Sequence, residues 1–359
     1  MSIPYISAGT VRKVLNMSEL IPLVEKAMVN YSLSCGSDGA SISGGVVQPL
    51  RSIIPIKDKD AVLITMPVYS SVDGVLATKL VSLFPHNKET PTHQGTIVLM
   101  SAENGSVLCF MDAEVITEMR TAAASAVATC HLAAPSSSSS PLKLGIIGSG
   151  VQARSHVRAL RQVRLFSEIR VWSRNKERLR DFVDEFRSGD KEGANGVVSG
   201  AESAAEAVAD ADVIVTATLS KEPVLFKQFV KPGAHINAVG APFPDQCELD
   251  GELVRSSSIY ADSRIGALKE AGDVIMNGAQ DRVVAEIGEF VAGKEKSEIG
   301  KATVHCSCET TTIFKNLGMA IQDAVAAKLV YEKLVKGTGN LDVGSLQVGM
   351  GDHGLLHDR

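Results

Sequence analysis

The stretch Lys143-Leu-Gly-Ile-Ile-Gly-Ser-Gly-Val-Gln-Ala153 constrains the fold of this chain more than any other. Leu144 to Ile147 is a short apolar run that reads as a buried strand. It empties into Gly148, Gly150 and Ala153, the Gly-x-Gly-x-x-Gly/Ala spacing of a dinucleotide-binding turn. Gly148 permits the tight turn, Gly150 lets a pyrophosphate approach the backbone, and small Ala153 lets the next helix pack close to the strand. The helix start at Val151 and Gln152 offers unpaired N–H groups and a partial positive charge to phosphates. Glycine-rich turns also occur without ligands. Here strand, turn and amphipathic helix follow in the order that a dinucleotide site requires.

From residue 142 onward, strand and helix patterns alternate. Strands are expected at 143–147, 168–172, 196–199, 212–216, 235–239, 258–261 and 303–306, with helices between most of them. That alternation predicts an α/β architecture, a Rossmann-type doubly wound and mostly parallel sheet over residues 121–310. A right-handed first crossover puts the cofactor at the carboxyl ends of the strands.

The preceding part reads differently. A helix with Ser18 as cap and Pro22 in its first turn carries an apolar stripe of Leu20, Val24, Ala27, Met28 and Tyr31. Five strand-like runs follow, at 46–55, 61–69, 74–84, 96–101 and 107–112, with turn signals at Asp73-Gly74 and Asn104-Gly105. Such short connections allow no parallel crossover, so the expectation is an antiparallel sheet. An Ala-rich helix over 114–134 leads to the polar, proline-bounded segment 135–141, which reads as a linker. A last helix over 311–336, with Ile313, Leu317, Ile321, Val325 and Leu329 at i+4 steps, needs a partner surface. It is expected to pack back on the first part, so residues 1–120 and 311–336 form an α+β domain. Residues 337–359 read as a flexible tail.

The 359 residues suffice for two well-filled cores. A net charge of −5 supplies no basic field for nucleic acid or an anionic membrane surface. No apolar run approaches the ~20 residues that cross a bilayer. The start Met1-Ser-Ile-Pro-Tyr5 has no signal-peptide pattern, which leaves a cytoplasmic location as the expectation. His305-Cys306-Ser-Cys308 lacks a second paired group at zinc spacing, so no metal is expected and the thiols read as buried.

The end of the second strand distinguishes the nicotinamide cofactors. An NAD site places a carboxylate there for the ribose 2′-hydroxyl. Here the chain runs Val171-Trp172-Ser173-Arg174-Asn175-Lys176, with no carboxylate until Glu177. Ser173 can donate to a 2′-phosphate and Arg174 offers it a planar fork, which favours NADPH while leaving NADH possible. The competing reading is a solvated basic helix start.

Taken together, several unusual stretches resemble the ornithine cyclodeaminase/mu-crystallin family, and within it the NADPH-dependent ketimine reductases. They are Gln48-Pro-Leu-Arg51, Ala77-Thr-Lys-Leu80, Thr92-His-Gln94, Met111-Asp112 with Arg120-Thr-Ala-Ala123, the glycine turn, Lys231-Pro-Gly-Ala-His-Ile-Asn-Ala-Val-Gly240, and Phe314-Lys-Asn-Leu-Gly-Met319. The resemblance implies a homodimer whose α+β domain binds substrate and mediates dimerisation. It also implies a substrate carboxylate held by Arg51, Lys79 and Arg120. Thr92, His93 and Gln94 are implied near the nicotinamide, and Arg120 touches that end as well. Thr218, Leu219, Val239 and Ser263 are implied along the rest of the cofactor cleft, closed by Lys315 and Asn316. Read bare, Lys79 in an apolar strand is as compatible with an inward salt bridge, Arg120 with a surface position, and His93 with a structural histidine.

One departure is informative. The cyclodeaminases carry an essential Asp two residues after the glycine matching Gly240, where this chain has Pro242; Asp245 lies three residues further on. Ile64-Thr65 likewise replaces the acid that precedes their Met-Pro. Ornithine cyclodeamination is therefore disfavoured. The expectation is reduction of a C=N bond beside a carboxylate, most simply in a cyclic ketimine, faster at mildly acidic pH where the imine is protonated. Opine-type and alanine dehydrogenation are alternatives. A binding protein for an iodothyronine is another, of a different class.

Overall fold

The computed structural model describes residues 3–34, 45–137, 139–189, 195–293, 310–336 and 344–346. The first of its two eight-stranded sheets contains β1 (Ile3–Ile6), β2 (Val46–Val47), β3 (Ser52–Ile56), β4 (Ala61–Ser70), β5 (Val75–Leu83), β6 (His93–Met100) and β7 (Val107–Asp112). Strands β4 to β7 are antiparallel neighbours in chain order, as expected. β1 lies parallel to β7, a pairing that four residues without a turn signal do not announce. The run at 46–55 splits into β2 and β3, because Gln48-Pro-Leu-Arg leaves the ladder.

Alternation along β5 decides where Lys79 goes. Val75, Ala77, Lys79 and Val81 share the buried face, while Leu80 points outward. One helix packs directly on that face and a second packs on the first. Met17–Ser34 buries Leu20, Val24, Ala27, Met28 and Tyr31, the stripe read from sequence. Its cap, however, is Asn16, whose Oδ1 accepts from Glu19 N at 3.1 Å; Ser18 is already helical and Pro22 lies past the first turn. The C-terminal helix Ala320–Lys336 crosses β4, β5 and β6 and packs on Met17–Ser34.

The second sheet is parallel throughout. Its strands are β8 (Leu142–Ile147), β9 (Phe166–Trp172), β10 (Val197–Gly200), β11 (Val213–Thr216), β12 (His235–Ala238), β13 (Ser258–Ala261), β14 (Val283–Glu286) and β15 (Thr312–Lys315), in the order β10-β9-β8-β11-β12-β15-β13-β14. The strand order reverses direction between β8 and β11, which puts the glycine turn at the switch point.

Two expectations need correction here. The last helix begins at Ala320, not 311. Residues Thr312–Lys315 are instead β15, a central strand between β12 and β13. A Thr-Thr-Ile-Phe run favours extended backbone, and Gly318 at φ +83° stops it before the helix. Ile313 thus packs in the sheet rather than on a helical stripe. The short strand β14 was likewise not read from the sequence. In the segment expected to be a structureless tail, Gly344–Leu346 forms β16, antiparallel to β1: backbone pairing with an open edge needs no apolar periodicity. The strand expected at 303–306 and the thiols Cys306 and Cys308 lie outside the described residues. Of the described cysteines, Cys109 and Cys247 are buried, Cys130 is exposed, and all three are free thiols.

One apolar core runs through both sheets, from Ile97 and Met111 through Ala124 and Val157 to Val171 and Phe314. The long helix Glu114–Leu132 is its spine. It packs on Met17–Ser34 on one side and on Val151–Val163 on the other.

Candidate active site

The glycine turn has the shape its spacing demands. Gly148 sits at φ +122°, and a Cβ there would lie 2.5 Å from the carbonyl oxygen of Ala217. A Cβ on Gly150 would instead meet open space. Gly150 also forms the N-cap of Val151–Val163 without any side-chain cap, so the first-turn N–H groups face that space unpaired. The cradle fits a pyrophosphate. Gln152 turns inward, donating to the Thr117 carbonyl at 3.3 Å, while its Oε1 is buried without a partner.

Ser149 donates to Ser173 Oγ at 2.9 Å, which fixes Ser173 beside the turn. Arg174 is exposed and makes no ion pair among the described residues, so its fork is available. Asn175 is committed elsewhere: its Oδ1 caps the next helix through Arg178 N at 3.0 Å.

Across the sheet boundary, Arg51 and Arg120 meet around one turn of chain, Leu317-Gly-Met319, and Lys79 joins Arg120 through Asp323. Arg51 Nη2 donates to the carbonyls of Leu317 and Gly318, each at 3.1 Å, and its Nε pairs with Glu270 at 3.0 Å. The Arg120 guanidinium presses on the same glycine so closely that any Cβ would collide with it. Arg120 is 4 % exposed, not on the surface, because Glu114–Leu132 is enclosed by both domains. Its Nε pairs with Asp323 Oδ1 at 2.9 Å, and Lys79 Nζ reaches the other oxygen, Oδ2, at 2.7 Å. Lys79 also donates to Thr117 Oγ1 at 3.3 Å. Thr117 therefore links Lys79 to Gln152 at the glycine turn.

The electrostatics follow from burial. Desolvation pulls Lys79 from its ordinary 10.5 down to about 8; Arg120 and Arg51 push the same way, against Asp323. Burial pushes Asp323 upward, but Arg120 and Lys79 outweigh it and hold the carboxyl below its usual range. Burial, then Lys79 and Arg120, lower the His93 imidazole. Burial raises Glu270 and Asp262, opposed in both by Arg51. Tyr31, Arg51, Met66, Ser263, Glu270 and Met319 are among the residues around a cavity of about 120 Å³ beside this turn.

Other expected residues fall less simply. His93 shares the cations' field, whereas Gln94 points to the opposite face of β6 and lines a groove with Tyr5 and Asp112. Thr92 is exposed and uses its carbonyl to hold Phe84 N at 2.8 Å. Thr218 gives its N–H and hydroxyl to buried Glu248, at 2.6 and 2.7 Å, and Leu219 is exposed next to it. Val239 is half-buried at the end of β12. Ser263 caps Arg264–Glu270 and bonds Tyr31 Oη at 3.0 Å, placing it at the wall of the same cavity. Lys315 is fully buried, paired with Asp273 at 2.8 Å and bonded to the Gly240 carbonyl, so its ammonium does not close a cleft. Asn316 bonds Thr121 O and Ser125 Oγ, at 2.8 and 2.9 Å, with Oδ1 left unpartnered. Asp245 pairs with Lys221 at the surface and does not replace the carboxylate missing at Pro242.

Asp323, Glu270 and Asp262 are missed from sequence, and Gln48 stands in its motif there without a role. Gln48 Oε1 accepts from Ile321 N at 2.7 Å, and Asp262 Oδ2 from Gly318 N at 2.6 Å. The available signal was Gln322-Asp323, two polar residues breaking an apolar stripe near a helix start.

A parallel sheet with an open glycine cradle at its switch point, joined to a buried cation cluster, defines a dinucleotide-dependent enzyme of small carboxylates. The comparisons agree: the chain belongs to the ornithine cyclodeaminase/mu-crystallin family, whose model matches residues 5–338. It is 43% identical to the ketimine reductase mu-crystallin of Mus musculus over 336 residues, 93% of this chain and 98% of the relative. Among solved structures it is similar to Thermococcus litoralis Delta(1)-pyrroline-2-carboxylate reductase in complex with NADH and L-proline. That likeness has a TM-score of 0.81 and 34% identity, over 93% of this chain and 98% of the other. An archaeal alanine dehydrogenase dimer with bound NAD aligns with a TM-score of 0.80 and 30% identity, over 94% and 98%.

Proposed function

We propose that this chain is an NAD(P)H-dependent reductase of a cyclic ketimine bearing a carboxylate beside the C=N carbon. The observation that carries the reading is the meeting of Arg51 and Arg120 around Gly318, with Lys79 tied to Arg120 by Asp323 and one residue contact away from the cofactor turn through Thr117. Such relatives as the pyrroline-2-carboxylate and ketimine reductases support it.

The bound nicotinamide supplies a hydride; the protein's residues do the rest. Arg120 and Lys79 keep N–H donors beyond those that Asp323 takes, and together with Arg51 these receive the substrate carboxylate. Lys79 remains an ammonium below about pH 8 and so serves this role at neutral pH. Three cations face three carboxylates, Asp323, Glu270 and Asp262, so the site is balanced for a zwitterion. A protonated imine with its own carboxylate is one. Met66, Leu317 and Met319 keep water from the bond to be reduced. At about 120 Å³ the cavity suits one small ring, well below the ~300 Å³ at which drug-sized pockets begin, which disfavours an iodothyronine there.

The exposed fork of Arg174 beside Ser173 favours NADPH over NADH. A homodimer through the outer face of the first sheet accounts for Ile54, Tyr69 and Leu80, large apolar side chains left exposed on that face. The reading is of a cytoplasmic enzyme. No helix among the described residues is long and apolar enough to cross a membrane.

The test is a panel of five- and six-membered cyclic ketimine carboxylates, with pyruvate plus alanine, taurine or ammonia as competitors, each with NADPH and NADH. Turnover confined to the oxo-acid pairs would replace this reading by an opine-type or alanine dehydrogenase. Cofactor binding without turnover on any imine would make the protein a binder.

A further inference from the structure

Asp323 lies between Lys79 and Arg120, and each of its oxygens takes one of them. All three side chains are at most 5 % exposed, and all three come from different elements: β5, the helix Glu114–Leu132 and the C-terminal helix. Burying such charges is costly unless each is matched. The groups that face Lys79 are otherwise unhelpful to its charge: Arg120 from the long helix, Arg51 from the segment after β2, and the near-neutral ring of His93 from β6. Thr117 gives it only a hydroxyl. Without Asp323, Lys79 and Arg120 would face each other unmatched in a dry site, with Arg51 adding to the repulsion. Guanidinium groups do not release a proton, so Lys79 is the member that would lose its charge.

We propose that Asp323 is a positioning residue that keeps Lys79 an ammonium and fixes its spacing from Arg120, so that their remaining N–H donors can grip the substrate carboxylate. The carboxylate of the protein thus sets the geometry that the carboxylate of the substrate completes. This inference rests on the reading of the site given above, and one of its two readouts is independent of catalysis.

The experiment compares wild type with Asp323→Asn, which has the same shape without the charge. Two pH profiles are recorded for each: kcat/KM on a cyclic ketimine that wild type reduces, and the affinity for pyruvate by calorimetry on cofactor-free protein. The expected result is an alkaline midpoint moved toward acid by about 1–3 pH units in both profiles, the range for losing an opposite charge at contact distance. A folded Asp323→Asn protein with wild-type midpoints would overturn the proposal. If Asp323→Asn does not fold, the double variant with Lys79→Met is expected to recover a cooperative melt, since the uncompensated ammonium is gone. A double variant as unfolded as the single one would equally overturn it. If wild type reduces no ketimine, the functional reading fails, while the pyruvate profile still decides the role of Asp323.

Discussion

The two halves of the site are built on opposite principles. At the cofactor turn the protein presents bare backbone: Gly148 and Gly150 carry no side chain, and the helix behind them is left uncapped. At the turn proposed to receive the substrate nearly everything is side chain and charge, with Arg51 paired to Glu270, Lys79 and Arg120 sharing Asp323, and both arginines against Gly318. A backbone cradle recognises what all dinucleotides share. A side-chain cluster with a fixed charge balance selects one kind of small molecule. The first can be recognised from spacing in a sequence, whereas the second depends on residues brought together from five separate segments of chain.

The sharpest way to break this contrast is at its largest expected effect. Arg120→Leu leaves Asp323 with one cation in place of two, and breaking a buried pair costs about 3–5 kcal/mol of stability. Catalytic efficiency should fall by about a hundredfold or more, read as kcat/KM on any substrate of the wild type. On the other side, Gly148→Ala and Gly150→Ala separate the two demands of the turn. The first meets a backbone oxygen at 2.5 Å and should lower stability by about 2–4 kcal/mol in a thermal melt. The second has room for its methyl group and should leave the melt nearly unchanged, while cofactor affinity collapses in a fluorescence titration. Equal melts for the two would mean that the turn is not strained at Gly148.

Arg174→Ala should weaken NADPH about 10–100-fold and NADH hardly at all, as expected for loss of a charge-assisted pair with the 2′-phosphate. Equal losses would remove the arginine from cofactor choice. The pH dependence sharpens the contrast further. Lys79 gives up its proton near 8 in the folded protein but near 10.5 when exposed, so the unfolded chain holds more protons between those values. Stability from this group therefore grows as pH rises from 8 toward 10.5, while substrate affinity is lost over the same rise. Lys79→Met should flatten both trends. The smallest effect is expected at Asn175→Ala, about 1 kcal/mol in the melt for a lost helix cap, with cofactor affinity largely kept.

What the sequence made legible follows the same division. The glycine turn, the strand–helix alternation between 142 and 261 and the antiparallel runs between 61 and 112 are local patterns, and they stand in the structure. Lys79 and Arg51 could be singled out because charge in an apolar setting is conspicuous. Arg120 could not be placed from its own neighbourhood, because a small-residue helix is enclosed only when two domains close on it. Asp323 and β15 were hidden for a related reason. Thr312 to Leu317 carries an i, i+4 apolar pair that helix and strand share, so the period alone assigned it to the wrong element. With the helix start misplaced, the acid in its first turn had no visible partner. Lys315 shows the converse error: a cation within a matching motif, yet fully occupied by Asp273.

The place of β15 in the chain order has an architectural consequence. This strand is threaded into the middle of the parallel sheet, and four residues later the same segment becomes the buried helix of the other domain. Neither half can then be excised as a self-sufficient piece. A fragment ending before residue 310 would lack an interior strand of one sheet and the cover of the other. A fragment starting at 142 would carry a helix with its apolar face stripped bare. Gene fusion, domain exchange or circular permutation in this protein would have to keep Phe314 to Lys336 joined to both neighbours. The two halves are a single inheritable unit, whatever the count of their sheets.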